Sequence, residues 1–263
     1  MPITFADTHA HLYAEQFDSD RSAVLQKAIS TDVKYFFIPN LDSTTAPALH
    51  TLIAEYPQHC FAMMGLHPCH VQSDTYLTEM EKVEKLLFEK PCRYVAVGEI
   101  GIDLYWDKTT FSLQKEAFIQ QLKWAKTLNL PVSVHCRESF DQVMECIEYV
   151  QDGSLKGIMH CFTGNLEQAQ RVIQAGFMIG IGGVITFKKS QYLRDAVTQI
   201  PLEHIVLETD SPYLAPEPYR GRRNEPGYIP IIAATVAKAK NCTITEVAEQ
   251  TTQNALHIFS ISA

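Results

Sequence analysis

Histidine and carboxylate residues stand at intervals along the chain, most of them directly after a short apolar run. The set consists of His9, His11, Glu99, His135, His160 and Asp210. Imidazole nitrogens and carboxylate oxygens are the groups with which proteins hold Zn²⁺, Mn²⁺ and related divalent ions. A single catalytic zinc ion usually takes only three protein ligands, so six groups favour a centre of two divalent ions (Zn, Mn or Mg) bridged by Glu99.

The spacing of these residues supports their convergence. His9 and His11 are two residues apart, and on a strand such residues project from the same face about 7 Å apart. Glu99 and Asp210 follow the apolar segments 95–98 and 205–207. An unpaired carboxylate at the end of an apolar strand is costly, and a dication would supply the missing partner.

Elements that could position these residues alternate along the chain. Eight short apolar runs predict buried strands at Ile3–Ala6, Tyr35–Ile38, Phe61–Met64, Tyr94–Val97, Val132–Val134, Gly157–Met159, Phe177–Ile181 and Ile205–Leu207. Segments with helical periodicity lie between them, among them Ser22–Ile29, Tyr76–Phe88, Thr110–Leu128, Phe140–Tyr149, Leu166–Ala175 and Gln191–Thr198. Eight such units favour a (β/α)₈ TIM-type barrel, with the metal site at the C-terminal ends of its strands.

Composition restricts the class of protein further. The 263 residues, 46% of them hydrophobic and 20% charged, are enough for one metal-dependent hydrolase domain over residues 1–263. We find no apolar run of the roughly 18 residues that a membrane span needs and no signal-peptide pattern, so we expect a cytoplasmic protein. Seven cysteines without a C-x-x-C pair favour reduced thiols. A net charge of −8 argues against electrostatic gripping of long duplex DNA.

Other residues near the expected centre have open roles. We expect substrate contacts from His67, Arg137 and Arg223, since imidazoles and guanidinium forks can hold phosphate oxygens; solvated or structural roles are the alternatives. Tyr105 and Trp106 could stack bases or simply pack. Asp7 and Asp103 could orient imidazoles or serve as caps. Strand alternation is expected to turn Cys136 and Cys161 away from the metal face.

The sequence also resembles the TatD family of metal-dependent deoxyribonucleases, in the amidohydrolase superfamily. The resemblance rests on an ordered series of motifs across about the first 226 residues: Asp7-x-His9-x-His11-Leu12, Gly65-Leu66-His67-Pro68, Gly98-Glu99-Ile100-Gly101-Ile102-Asp103, Pro131-Val132-x-x-His135-x-Arg137, His160-Cys161-Phe162-Thr163-Gly164, Thr209-Asp210-x-Pro212-Tyr213-Leu214 and Arg223-Asn224-Glu225-Pro226.

The resemblance implies a barrel in which His9, His11 and Asp210 hold one ion, His135 and His160 hold another, and both ions share Glu99. It implies that Asp210 accepts the proton of the nucleophilic water and that Glu208 could orient or support it. It also implies a DNA substrate, which we expect to be DNA ends or short oligonucleotides cleaved by an exonuclease at single-stranded or 3′ ends.

Two alternatives to a deoxyribonuclease remain at the level of sequence. The same centre could serve a small-molecule amidohydrolase, lactonase or phosphoesterase, because activated water attacks a carbonyl as readily as a phosphorus centre. The chain could instead bind metal or a partner without turnover, although the presence of all six ligand residues argues against this. No obligate protein partner is expected.

Overall fold

Eight parallel strands form the centre of the molecule in a computed structural model, which describes residues 3–90 and 94–262. The strands pair in sequence order as β1 (Phe5–Asp7), β2 (Val33–Ile38), β3 (Cys60–Met64), β4 (Ala96–Asp103), β5 (Val132–Arg137), β6 (Gly157–Met159), β7 (Phe177–Ile181) and β8 (Ile205–Leu207). Sequential parallel pairing needs a crossover after each strand, and helices supply it.

Nine α-helices occur within the described ranges: α1 (Arg21–Ser30), α2 (Ala46–Glu55), α3 (Tyr76–Phe88), α4 (Phe111–Leu128), α5 (Phe140–Val150), α6 (Leu166–Gln174), α7 (Gln191–Gln199), α8 (Ile229–Lys240) and α9 (Ile244–Ile258). Local sequence fixes several ends. Asn129 ends α4 in the left-handed conformation, and Thr243 begins α9 in a capping box with Glu246. In the part of the chain that the structure describes, none of the helices has both the length and the apolar character to cross a bilayer.

The last strand meets the first and nearly closes the barrel. The amide of Thr8 donates to the carbonyl oxygen of Leu207 at 2.9 Å, and the amide of Asp210 donates to that of His9 at 2.8 Å. Asp7 supports the same seam, because its buried carboxyl group accepts the backbone N–H (2.9 Å) and the hydroxyl (2.5 Å) of Thr209. The predicted (β/α)₈ barrel is confirmed.

Apolar side chains fill the space inside the strands, below the metal face. Six strands contribute Ala6, Phe37, Met63, Ala96, Ile158 and Val206 to a cluster that also contains Ala255, Ile258 and Phe259 from the end of the chain. Phe37 and Phe259 stack with ring centroids 4.0 Å apart. The C-terminal segment therefore packs directly on residues of the barrel strands.

Two strands extend three or more residues past the C-terminal ends of the predicted apolar runs. β4 continues past Val97 to Asp103, and β5 continues past Val134 to Arg137. Glu99 and His135 thus lie within strands and not at their ends. Polar residues continue the strand here because adjacent backbone groups still pair, with Gly101 opposite His135 and Asp103 opposite Arg137.

Candidate metal centre

Glu99 is at the middle of the cluster of imidazoles. Its Oε2 lies 3.1 Å from Nε2 of His9 and 3.6 Å from Nε2 of His11. Its Oε1 lies 2.8 Å from Nδ1 of His135 and 3.8 Å from Nε2 of His160. The two oxygens of one buried carboxylate therefore face two different pairs of imidazoles.

Asp210 brings a second carboxylate to the same centre. Its Oδ1 lies 3.5 Å from Nε2 of His11, 3.8 Å from Nε2 of His160 and 4.0 Å from Nε2 of His9. Asp210 lies beyond the end of β8 and has a φ of 59°, in the left-handed region. The structure thus brings together all six residues that the sequence singled out as ligands.

His9 and His11 are each held at the nitrogen that faces away from Glu99. Nδ1 of His9 lies 3.2 Å from the hydroxyl of Ser133, and Nδ1 of His11 lies 3.3 Å from the hydroxyl of Tyr13. A partner at the far nitrogen sets the tautomer and the orientation of a ligand imidazole. The sequence analysis did not identify either partner, because Ser133 is distant in sequence and Tyr13 lies in a turn beyond the end of β1.

Carboxylates hold the other two imidazoles in the same way. Nε2 of His135 lies 2.9 Å from Oδ2 of Asp103, and Nδ1 of His160 lies 2.9 Å from Oε1 of Glu208. The far nitrogen of each ring thus faces a carboxylate, and the near nitrogen faces Glu99. Asp103 and Glu208 therefore position imidazoles, which was an open role for Asp103.

His67 also reaches the centre, where its ring presents an N–H group. Its Nε2 lies 3.4 Å from Oε1 of Glu99 and 3.3 Å from Nδ1 of His135, while its Nδ1 accepts the backbone N–H of Cys69 at 3.1 Å. Burial lowers the pKa of His67 to about 4, so the ring is neutral at physiological pH. A neutral ring that accepts at Nδ1 carries its proton on Nε2, which makes His67 a donor toward the centre.

Electrostatics within the cluster keep the carboxylates ionised. Burial alone would raise the pKa of Glu99, but the electrostatic influence of the His67 and His9 imidazoles and a hydrogen bond from His135 outweigh it and lower the pKa well below its usual range. Burial opposes the charged form of His160 as well, yet the neighbouring Glu208 raises the pKa of that imidazole to about 10. Without an ion, His160 therefore carries a proton that a metal would replace.

Two glycines leave space for groups that surround the metal centre. Gly101 has a φ of 152°, and a Cβ there would overlap the carbonyl oxygen of His135 on the adjacent strand. A Cβ on Gly180 would lie 2.5 Å from Oε2 of Glu208. Larger residues at these positions would displace β5 or the carboxylate behind His160.

The donor set fits divalent ions. His9, His11 and Glu99 place one ligand atom each within 4.8 Å of one another. Glu208 is fully buried, and its Oε2 has no hydrogen-bond partner in the described residues. Carboxylates so deeply buried need compensating positive charge, which dications in this cluster would provide.

Cys161 corrects one expectation. It does not turn away from the centre, because β6 ends at Met159 and Cys161 takes a φ of 46°. A set of ligand atoms within 4.8 Å of one another includes Cys161, His160 and Asp210. Burial and the nearby carboxylates raise the pKa of the Cys161 thiol well above its usual range, so the thiol is protonated when no ion is bound.

The two arginines expected to contact substrate differ in their surroundings. Arg137 is exposed at the end of β5, with its guanidinium carbon 3.9 Å from the centroid of the Tyr105 ring. Arg223 forms a bidentate pair with Asp20, at 2.8 and 2.7 Å, and donates to the carbonyl oxygen of Gln16. A phosphate would compete with Asp20 for Arg223, whose substrate contact stays a prediction.

The barrel and this cluster of imidazoles and carboxylates define a metal-dependent hydrolase. A family model described as TatD related DNase matches residues 6–260, and the chain belongs to the TatD DNase family. This confirms the resemblance seen in the sequence motifs.

Relatives match along nearly the whole chain. The metal-dependent hydrolase YabD of Bacillus subtilis is 36% identical over 261 residues, covering 97% of this chain and 99% of YabD. The 3′-5′ ssDNA/RNA exonuclease TatD of Yersinia pseudotuberculosis is 32% identical over 260 residues, covering 97% and 99%. The crystal structure of the TatD homologue YjjV from Escherichia coli superimposes with a TM-score of 0.91 at 31% identity and covers both chains fully.

Proposed function

We propose that this protein hydrolyses phosphodiester bonds of DNA, as an exonuclease acting on single-stranded or 3′ ends, with water activated at a centre of two divalent ions. The name of the Yersinia relative, which gives 3′-5′ exonuclease action on single-stranded DNA and RNA, supports the substrate class. We further propose that the chain acts as one domain in the cytoplasm, on DNA ends or short oligonucleotides, without an obligate protein partner.

The two carboxylate oxygens of Glu99 face two different sets of imidazoles, and this is the main support for the proposal. Oε2 faces His9 and His11, whereas Oε1 faces His135 and His160. A carboxylate that bridges two cations presents one oxygen to each, as this arrangement would allow.

We assign His9, His11 and Asp210 to one ion, His135 and His160 to the other, and Glu99 to both. Divalent ions held there would supply Lewis acidity, which acidifies water and offsets the negative charge of a phosphoryl group. Imidazole nitrogens favour Zn²⁺ over Mg²⁺, which prefers oxygen ligands, and Mn²⁺ accepts both kinds.

Asp210 is the residue that we assign to accept the proton of the attacking water. Its side chain is 15% exposed, against 3% for Glu99, so water reaches Asp210 more easily. Burial would raise the pKa of Asp210, but the hydrogen bond from His11 and the charges of the imidazoles lower it, and the carboxylate is ionised. An ionised and accessible carboxylate can act as a general base.

His67 is the residue that we assign to a non-bridging phosphate oxygen. Its Nε2–H is directed at the centre by the N–H of Cys69, which occupies the other ring nitrogen. A neutral donor of this kind orients the phosphate without adding to the positive charge that the ions supply. Arg137 and Arg223 are the further residues proposed to contact substrate.

Digestion of end-labelled single-stranded DNA tests the proposal directly. The protein is stripped of metal, reloaded separately with Mg²⁺, Mn²⁺ or Zn²⁺, and compared with Glu99→Ala and with a surface control, Glu249→Ala, on the exposed side of α9. We expect a ladder that shortens from one end, absent in Glu99→Ala and unchanged in Glu249→Ala. Full activity of Glu99→Ala would contradict the bridged centre.

A negative result with DNA has a definite meaning. If the reloaded protein binds metal but cleaves no DNA with any ion, the deoxyribonuclease proposal is wrong. Hydrolysis of esters, lactones, amides or phosphate esters by the same preparation would then identify the centre as that of a small-molecule hydrolase.

A further inference from the structure

Two aromatic side chains and a guanidinium lie together on the surface beside the metal centre. Tyr105 is 50% exposed and Trp106 is 68% exposed, in the turn that follows β4. Their ring centroids are 5.0 Å apart, and the rings are nearly perpendicular, at 85°. The guanidinium carbon of Arg137 lies 3.9 Å from the Tyr105 centroid and 5.4 Å from that of Trp106. Packing of the fold therefore leaves much of both aromatic rings uncovered.

Asp103 fixes this group relative to the metal centre. Its Oδ2 lies 2.9 Å from Nε2 of His135, and its Oδ1 accepts the backbone N–H groups of Tyr105 and Trp106, both at 2.9 Å. Arg137 follows His135 by two residues in β5 and so lies on the same face of the strand. One carboxylate thus joins a ligand imidazole to the turn that carries the exposed rings.

Arg137 gives this group a positive charge in a chain whose net charge is −8. Within the described ranges 3–90 and 94–262, Arg137 forms no ion pair, although carboxylates crowd the neighbouring centre. Stacking on Tyr105 occupies one flat face of the guanidinium, while the N–H groups in its plane can still donate. The surface thus offers ring faces for flat apolar groups and donors for anionic oxygens.

A single-stranded nucleic acid has both kinds of group side by side. Unpaired bases present flat faces that stack on aromatic side chains, and the adjoining phosphates accept from arginine. Bases inside a duplex already stack on their neighbours and present only their edges. The chemistry therefore selects an unpaired strand over a duplex.

We propose that Tyr105, Trp106 and Arg137 form a stacking platform for the nucleobase next to the scissile phosphodiester. The proposal rests on the proposed function, since it names how the same site would hold its substrate. Every base has a π-face, so the platform would bind without strong sequence preference. It would also account for cleavage by an acidic protein, because binding depends on local stacking and not on a broad basic surface.

Tryptophan fluorescence gives a readout that does not depend on turnover. The chain has two tryptophans, and Trp124 is only 5% exposed, so a ligand that stacks at the surface affects Trp106. The metal-loaded protein is titrated with hexathymidylate carrying phosphorothioate linkages, which resist cleavage. A second titration uses the matching oligomer with tetrahydrofuran in place of every base. We expect quenching by the first and none by the second.

Substitutions then locate the contact. Trp106→Ala and Tyr105→Ala should each raise the Kd for hexathymidylate, measured by fluorescence anisotropy of a labelled strand, by about tenfold, with less effect on the baseless oligomer. Trp106→Phe and Tyr105→Phe retain a ring and should bind nearly as wild type does. Tyr149→Ala is the matched control, because Tyr149 is 75% exposed at the far end of α5.

Kinetics with cleavable DNA separate this proposal from the proposed function. We expect Trp106→Ala to raise KM about tenfold with little change in kcat. If wild type cleaves DNA but the alanine variants keep its KM and no quenching occurs, the platform is wrong and the nuclease stands. If wild type cleaves no DNA, the nuclease proposal fails, and the binding titrations alone decide whether bases stack here. Equal binding of the baseless and base-bearing oligomers would overturn the platform.

Discussion

Nδ1 of His160 and Oε1 of Glu208 lie 2.9 Å apart in the interior of the barrel, where Glu208 is fully buried and His160 is 4% exposed. The contact is an ion pair by distance and lacks the geometry of a hydrogen bond, while the same oxygen accepts the backbone N–H of Cys161. Glu208 thus holds a candidate ligand from behind, and several predictions about the centre depend on this pair.

Glu208→Gln should weaken metal binding at the site of His160. The amide keeps the size of the side chain but removes the charge that raises the pKa of His160 and increases the basicity of its ring. Substitution of such outer partners typically lowers metal affinity by about 10- to 100-fold. Metal titration followed by calorimetry checks this, with Glu203→Gln as a control outside the centre. Unchanged affinity would mean that Glu208 has only a packing role.

Metal affinity should rise with pH. Without an ion, the pKa of His160 is about 10 and that of His135 is about 8, both because neighbouring carboxylates outweigh burial. Both imidazoles are then protonated at neutral pH, and an ion must displace two protons. Below about pH 8 the apparent affinity should increase up to about 100-fold per pH unit, and above it up to about tenfold.

Calorimetry in buffers of different ionisation enthalpy counts the released protons. Glu208→Gln should release fewer protons, because it removes the strongest of the influences that raise the pKa of His160. An affinity independent of pH between about 6 and 8 would be incompatible with protonated imidazoles in the ion-free centre.

Asp210→Asn should retain the fold and lose catalysis. The amide preserves the shape of the side chain but cannot accept a proton from water, and general base catalysis typically contributes about 10²- to 10⁴-fold to the rate. We expect kcat to fall by that amount at saturating metal, with an unchanged far-UV circular dichroism spectrum. If kcat at saturating metal equals that of wild type, the assignment of Asp210 as proton acceptor is wrong.

Phe37→Ala should destabilise the barrel. Phe37 is fully buried and stacks on Phe259, so the substitution leaves a cavity between β2 and the C-terminal segment. Loss of a buried phenylalanine costs about 3 to 5 kcal/mol in the free energy of unfolding. Chemical denaturation measures it, and Phe37→Leu should cost less because it fills more of the space. Equal stability of Phe37→Ala and wild type would show that the contact contributes little.

Much of the barrel could be predicted because its strands are short and buried on both faces. Runs such as Phe177–Ile181 and Ile205–Leu207 match the observed β7 and β8 residue for residue. The extents of β4 and β5 could not be predicted, because polar residues such as Asp103 and Arg137 continue those strands through pairing with each other's backbone. Hydrophobicity marks burial, and pairing between strands can extend beyond it.

Sequence by itself determined the types of the candidate ligands and the edge of the barrel where they meet. The candidate ligands meet at this edge because the C-terminal ends of parallel strands all lie on one side of the barrel. Only the tertiary structure decided which nitrogen of each imidazole faces the centre, since that depends on partners such as Glu208, 48 positions from His160 by their residue numbers and adjacent in space.

Contacts formed only in the folded protein also decide the role of His67 and the exposure of Tyr105 and Trp106. Sequence placed His67 near the centre, but its role as a donor follows from the N–H of Cys69 at its other nitrogen. Tyr105 and Trp106 could equally have packed inward, and the turn held by Asp103 leaves them exposed. Local sequence specifies the chemical group, whereas its protonation, direction and exposure are set by neighbours that only folding brings into contact.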